Sequence, residues 1–391
     1  MFRPKCVATT AGQLSEEVFD DKAILKSSTE RFWRSLQWTA DGTSLVASLA
    51  DNSIHTFVVP PDLLDEDQQP HHLSPYCIIP SKEPVNAIAA YPFFDLSNPS
   101  TTLILSSMRD HPIRLNSAIS GHLGASYPLV NPMTEAYICP NSLLFTPQGD
   151  RFIAGSDSLL SLCDLSRPGQ EPISSIQTGP KRKTSDYNAT TNMRGLVSTL
   201  AVDSSSGLLA AGTFGRQIGL YASMGQGECV GVFSVKDTAA DDQIGGSGIT
   251  QVAWSRDGRY LYISERKSDG VIIYDIRNTG QLLSWLVGRN AQTNQRLSIN
   301  LTSTDEEGGH EIWGGGVDGE VRVWKDCHHQ EGPIQPAFSF KAHNDAISGT
   351  AVHSRGGVLA TASGQRRFGA GLDEGELAGG VIDSTIKIWS L

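Results

Sequence analysis

Apolar and polar residues alternate in seven short segments that end alike: SIHTFV, PIRLNS, LLSLCD, QIGLYA, VIIYDI, EVRVWK and TIKIWS. Period-two alternation predicts half-buried strands, because successive side chains of an extended chain point to opposite faces. The equivalent residues are Phe57, Asn116, Cys163, Tyr221, Tyr274, Trp324 and Trp389, spaced 47 to 65 positions apart. Upstream of each segment runs a second apolar stretch that finishes in small residues: SLVASLA, LILSSM, RFIAGS, LLAAGT, YLYISE, EIWGGG and VLATAS. Small side chains suit strands that converge on a crowded centre. Several of these stretches follow a tight-turn dipeptide such as Asp41-Gly42, Gln148-Gly149, Asp257-Gly258 or Gly356-Gly357, where glycine supplies a positive φ.

Seven strand units that cannot bury their faces alone gain a common core by stacking around an axis. The predicted fold is therefore all-β, a seven-bladed WD-repeat β-propeller forming one domain over 1–391. Its blades are expected near 30–80, 84–130, 138–178, 195–235, 247–287, 295–340 and 343–391, the last completed by 3–10. The segment PKCVATT reads as an N-terminal strand that closes the ring by pairing with the last blade and so removes an exposed edge. Six positions before the equivalent residue, five repeats carry an aspartate: Asp51, Asp110, Asp157, Asp318 and Asp383; the other two have Gly215 and Ser268. Each falls in the turn between the second and third strands, where a carboxylate accepts backbone or histidine hydrogen bonds. His343, Asp383 and Trp389 fall where a WD repeat keeps a buried structural network, and no nucleophile with an oxyanion loop accompanies them.

Composition sharpens this picture. With 39% hydrophobic and 19% charged residues, 39 glycines and 19 prolines in 391 residues, the chain has globular composition with heavy turn punctuation. No apolar run of signal-peptide or membrane-spanning length occurs, which predicts a soluble intracellular protein. The six cysteines form no CxxC pair, and His71-His72 and Cys327-His328-His329 lack a second ligand pair at usable spacing, so neither a metal nor any cofactor is expected. No glycine-rich phosphate loop, paired-carboxylate motif or nucleophile elbow appears, and the chain is not read as an enzyme. A net charge of −11 repels nucleic acid and anionic lipid at long range, so any RNA contact must come from a local patch.

The loops carry the candidate chemistry. Pro60 to Pro75 is acidic and proline-bearing and reads as a solvated loop on the face opposite the aspartate turns. The triplet Lys181-Arg182-Lys183 fits either a nuclear-import signal or a solvated charge run. The insertion 364–384 lacks apolar periodicity and is expected to be mobile. Strand order gathers two loop sets on one face, bringing Arg109, Arg216, Arg266, Lys267, Arg366 and Arg367 together with Arg289 and Arg296. Guanidinium groups in fixed loops bind phosphate in a fork and stack on unpaired bases, and Asn294, Gln295 and Gln365 have the donors and acceptors to read base edges. Any one arginine can instead pair with a neighbouring acid, as Arg109 with Asp110 or Arg322 with Glu320.

Four strings exceed a generic WD repeat: MRDHPI from Met108, FGRQIGLY from Phe214, QTNQR from Gln292 and ATASGQRRF from Ala360. Together they resemble the telomerase Cajal body protein family, whose fungal relatives include a nuclear WD protein associated with pre-mRNA splicing. The resemblance runs from about Trp33 to Phe368. It implies a non-enzymatic nuclear adaptor that binds the CAB-box loop of small Cajal-body RNAs, telomerase RNA among them in animals. Its expected partners are a small non-coding RNA and the proteins of that particle, with no membrane, and the chain is expected to be a monomer within the larger complex. The matching positions are Arg109, Arg216, Thr293 to Arg296, and Gln365-Arg366. The rival expectation is a protein-only scaffold.

Overall fold

The computed structural model describes residues 4–10, 32–65, 69–180, 192–277, 281–303, 309–366 and 383–391. Seven sheets ring an axis over 33–79, 85–127, 142–177, 197–234, 249–286, 299–341 and 347–390; the first six hold four antiparallel strands in chain order, and the last holds three and takes its fourth from the N-terminus. The alternating segments are the third strands, and Phe57, Asn116, Cys163, Tyr221, Tyr274, Trp324 and Trp389 are all buried there. Second strands such as Ser44–Leu49 and Val358–Ser363 are buried along their whole length, because a blade faces a neighbour on both sides. The turn before the first of these needs glycine. Gly42 has φ +71°, and a Cβ on it would strike the His353 ring.

Lys5–Thr9 runs antiparallel to Ile386–Ser390, with Lys5 opposite Ser390 and Thr9 opposite Lys387. The N-terminal strand thus closes the ring, as the alternation predicts. Polar side chains of the inner strands stitch successive blades together. Ser142 Oγ donates to Val197 O at 3.0 Å, the Gln251 amide bonds both backbone groups of Ile299 at 2.8 Å, and Thr350 N donates to Ser298 Oγ at 2.9 Å. Between the last blade and the first, Trp38 Nε1 donates to Ala351 O at 2.9 Å. These hydroxyls and amides, placed where inner strands converge, bond to the next blade, while other buried polar atoms, among them Ser106 Oγ, Ser156 Oγ and Trp324 Nε1, have no hydrogen-bond partner among the described residues.

One loop departs from its reading. The stretch 60–75 is not simply solvated: Leu63 and Leu73 are buried, and His71–His72 pair in parallel with Lys5–Thr9 as a fifth strand of the last blade. The cause is the edge that the N-terminal strand would otherwise expose. The same device recurs at blade five, where Gly332–Ile334, arriving from blade six, pairs in parallel with Gln281–Leu286. The triplet 181–183 and most of the 364–384 insertion lie outside the described residues. Among the described residues no helix is long and apolar enough to cross a membrane, and no group of His, Cys, Asp and Glu has the geometry of a metal site.

In blade seven, Trp389 Nε1 donates to Thr361 Oγ1 at 2.9 Å, Thr361 meets His343 Nε2 at 2.7 Å, and His343 Nδ1 faces Asp383 at 3.3 Å. Burial drives the His343 pKa down, against the opposing pull of Asp383, and so favours the neutral ring. Against the cost of its own burial, hydrogen bonds from His343, Thr385 and the Asn344 amide hold the Asp383 carboxyl well below the usual range. The other four aspartates serve their turns differently. Asp51 accepts from Ser53, which continues to His55 at 2.7 Å. Asp157 accepts from Ser158 at 3.2 Å, Asp318 pairs with Arg322 at 2.6 Å, and Asp110 is exposed beside Arg109. The local backbone bonds expected of these turns appear at Asp51 and Asp318, which accept from the Ser53 and Glu320 amides, and among the described residues the histidine network stands in blade seven.

Candidate functional site: an arginine-lined axial cavity

Where the inner strands converge they enclose a cavity of about 650 Å³. Its wall is made of small hydroxyls and amides, among them Ser35, Ser48, Asn86, Ser142, Ser198 and Thr250. Several of these are placed by one repeated irregularity. The pairing of first with second strands slips at Trp33/Ser35, Val85/Ala87, Val197/Thr199 and Ile249/Gln251. The residues at those slips are Arg34, Asn86, Ser198 and Thr250, and all four line the cavity. A bulge breaks the alternation locally and re-aims its side chain.

Four arginines surround this space: Arg34 from blade one, Arg266 from the second-to-third turn of blade five, Arg296 from the connector into blade six, and Arg366 from blade seven. Arg34 Nη1 donates to Val85 O at 3.2 Å. Arg296 reaches Asn141 O in blade three with one Nη2 contact of 3.5 Å. The Phe214 ring lies beneath two of them, with the Arg266 guanidinium carbon 4.5 Å and that of Arg296 5.5 Å from its centroid. Among the described residues no Asp or Glu lines the cavity, a local inversion of sign in a chain of net −11. Burial, then the like charges of Arg34 and Arg266, pull the Arg296 pKa down to about 10. Burial and then Arg366 lower that of Arg34. Both groups remain cationic at neutral pH, crowded and desolvated, the condition that an incoming anion relieves.

Of the residues expected from the sequence, Arg266, Asn294, Gln295, Arg296, Gln365 and Arg366 come together around this cavity, and Gln295 Nε2 donates to Gly364 O at 2.9 Å. Arg367 lies outside the described residues. Lys267 is exposed with φ +51°, and Arg109 is exposed 3.6 Å from Asp110; neither lines the cavity. Two expectations need correction. Arg216 is buried and not available to a ligand, its guanidinium forked onto Glu265 at 2.8 and 2.7 Å and bonded to Asp241 at 2.7 Å. Arg289 is fully buried, donating to Gly315 O, Ser264 Oγ, Leu297 O and Ser298 O. Their partners come from neighbouring blades and connectors, which loop position alone does not reveal. Arg34, Asn86 and Phe214 were missed as site residues. The one available signal for Arg34 was a charge inside an inner strand.

The chemistry on offer is anion binding by several forked donors beside an aromatic face, in a cavity of the size small groups occupy. No family model matches the chain. It is 29% identical over 352 residues to Telomerase Cajal body protein 1 of Homo sapiens, covering 89% of this chain and 59% of that protein. It is 27% identical over 355 residues to the telomerase Cajal body protein 1 homolog of Drosophila melanogaster, covering 88% and 59%. With Guanine nucleotide-binding protein negative regulator 1 of Schizosaccharomyces pombe the identity is 30% over 300 residues, covering 75% of this chain and 71% of that protein. The chain belongs to the telomerase Cajal body protein family. It spans 59% of the length of the human and fly members. The axial cavity gathers four of the chain's arginines, Arg34, Arg266, Arg296 and Arg366.

Proposed function

We propose that this protein is a nuclear adaptor that holds a small non-coding RNA, within its protein–RNA particle, at the arginine-lined mouth of the propeller. One observation carries the reading: Arg34, Arg266, Arg296 and Arg366 crowd around a cavity with no carboxylate among its described lining residues, over a phenyl face. Phosphate is the anion that several forked guanidiniums fit, and the Phe214 ring suits an unpaired base better than an acidic side chain. Asn86, Asn294, Gln295 and Gln365 add donors and acceptors for base edges around the same cavity. The names of the human and fly relatives, which speak of telomerase and of Cajal bodies, support an RNA particle and a nuclear location. A role in localising or assembling such particles, or in splicing, follows from the same reading.

The test replaces Arg34 and Arg296 together by alanine and measures binding to a pool of small nuclear RNAs at several salt concentrations. Affinity is expected to fall at least tenfold, and the slope of log K against log salt to become shallower by about 0.7 for each lost phosphate contact. Parental affinity and slope in that variant would overturn the reading. Nuclease treatment of the purified complex separates the rival: a protein-only scaffold keeps its partner set when the RNA is digested.

A further inference from the structure

Arg216 and Glu265 stand within two residues of Phe214 and Arg266, which line the cavity. Three segments meet there: the turn Phe214-Gly215-Arg216, the turn Glu265-Arg266, and the connector that carries the helix Ala239–Ile244 and the glycines Gly246 and Gly248. Phe214 and Arg266 stack on the cavity side. On the other side of the same two turns, Arg216 and Glu265 form the forked pair, with Asp241 as the third member. Arg266 is tied to the connector as well: its Nε donates to Ser247 O at 3.3 Å, its N donates to Gly248 O at 3.0 Å, and Ser247 N donates to its own carbonyl at 3.0 Å. Arg216 has φ +68°, an uncommon backbone conformation for a side chain of this size, which the surrounding contacts must hold. Burial opposes its charge, and the two carboxylates more than compensate, raising its pKa.

We propose that the buried Arg216–Glu265–Asp241 lock is the positioning device of the axial site, holding Phe214 and Arg266 as one preformed face for an anion. Arg216 itself touches no ligand. A forked guanidinium fixes direction as well as distance, so the lock sets the angle of both turns, and Arg266 inherits that angle through Glu265, its neighbour in the chain. The proposal rests on the reading of the cavity as an anion site, and its test uses probes that separate the two.

The experiment compares the parent with R216M/E265M, which exchanges the pair for apolar side chains of similar length, with R266A, and with the triple variant. Binding of inorganic tripolyphosphate and of single-stranded oligouridine is measured well below the unfolding midpoint, which is recorded in parallel. R216M/E265M is expected to keep a cooperative transition yet lose about tenfold in affinity for both probes. R266A should then cost several-fold in the parent and almost nothing on the R216M/E265M background, because a misplaced Arg266 has no contact left to lose. A lock that only stabilises the ring would leave the cost of R266A undiminished, and that additive outcome overturns the proposal, as does parental binding in R216M/E265M. If R216M/E265M fails to fold, D241N, whose carboxylate is the more accessible of the two, is expected to lose about threefold with the same non-additivity, and additivity there overturns the proposal equally. A parent that binds tripolyphosphate but no RNA sinks the RNA reading and leaves the lock standing. A parent that binds neither sinks both.

Discussion

Arg289 and Arg296 occupy one connector, both are pulled down to about 10 by burial, and they do opposite work. Arg289 donates to four neutral acceptors drawn from blade five, blade six and the connector itself, at distances from 2.6 to 3.3 Å. Arg296 has one 3.5 Å contact to a carbonyl across the channel, a phenyl face, and two other arginines close enough to oppose its charge. Desolvation alone therefore does not mark a site. What separates the strut from the ligand-facing group is whether the donors are spent. Arg216 and Arg322 fall with the strut, each forked onto carboxylates.

The largest effect that would sharpen this contrast is on stability. Replacing Arg289 by alanine strands Leu297 O, Gly315 O and Ser264 Oγ and opens a hole between blades, and about 4 kcal/mol of unfolding free energy should be lost. Urea titration followed by tryptophan fluorescence measures it. Arg289→Lys should recover little, because one ammonium cannot reach acceptors spread around a planar fork. A loss under about 1 kcal/mol would erase the distinction between strut and site.

Next in size is the network of blade seven, where acidification does the work of a mutation. The folded-state pKa of His343 is depressed by burial, so its contribution is present in full above the unfolded value of about 6.5 and is lost as pH falls from there toward the folded value. His328, stacked on His310 at 4.3 Å and tilted against His329 at 3.9 Å, is shifted the same way by burial and then by those rings, with a smaller effect because it is partly solvated. Asp383 acts in a lower window, below about 4. Unfolding free energy should drop by up to about 1.4 kcal/mol per pH unit for His343 as pH goes from 6.5 toward 5.5. In His343→Gln that part of the slope should vanish. Equal slopes in the two proteins would mean that the ring is already protonated in the folded state.

The architecture was legible because its determinants are local and repeated. Alternation located the third strands, small residues the second strands, and PKCVATT the closing strand. The link Thr361 was not legible, since a hydroxyl in a strand named for its small residues has no reason to be singled out until His343 and Trp389 stand on either side of it. The site was half legible. Loop order brought Arg266, Arg296 and Arg366 to one cavity, but whether a given arginine is spent depends on acceptors far away in sequence: Glu265 for Arg216, Gly315 for Arg289. Arg34 and Asn86 escaped for a different reason. Each sits at a bulge, where the two-residue period from which strand faces are read fails. The strap of 60–75 was misjudged because its acids outnumber Leu63 and Leu73, the residues that bury it.

The smallest predicted change in stability is also the sharpest test of the contrast. Arg296→Met keeps an unbranched side chain but removes the guanidinium that lies over Phe214, and with it a charge that burial, Arg34 and Arg266 all disfavour. The single 3.5 Å contact to Asn141 O is too long to be worth much. Stability should therefore change by less than about 0.5 kcal/mol, or rise slightly, whereas binding of tripolyphosphate should weaken about tenfold, since one charge-assisted fork is gone. Arg289→Met should do the reverse, with a large loss of stability and little change in anion affinity per folded molecule. A structural role for Arg296 would show as a loss of stability comparable to that of Arg289→Met, and in that event the cavity would have to be read as a packed joint between blades whose arginines are there for the ring.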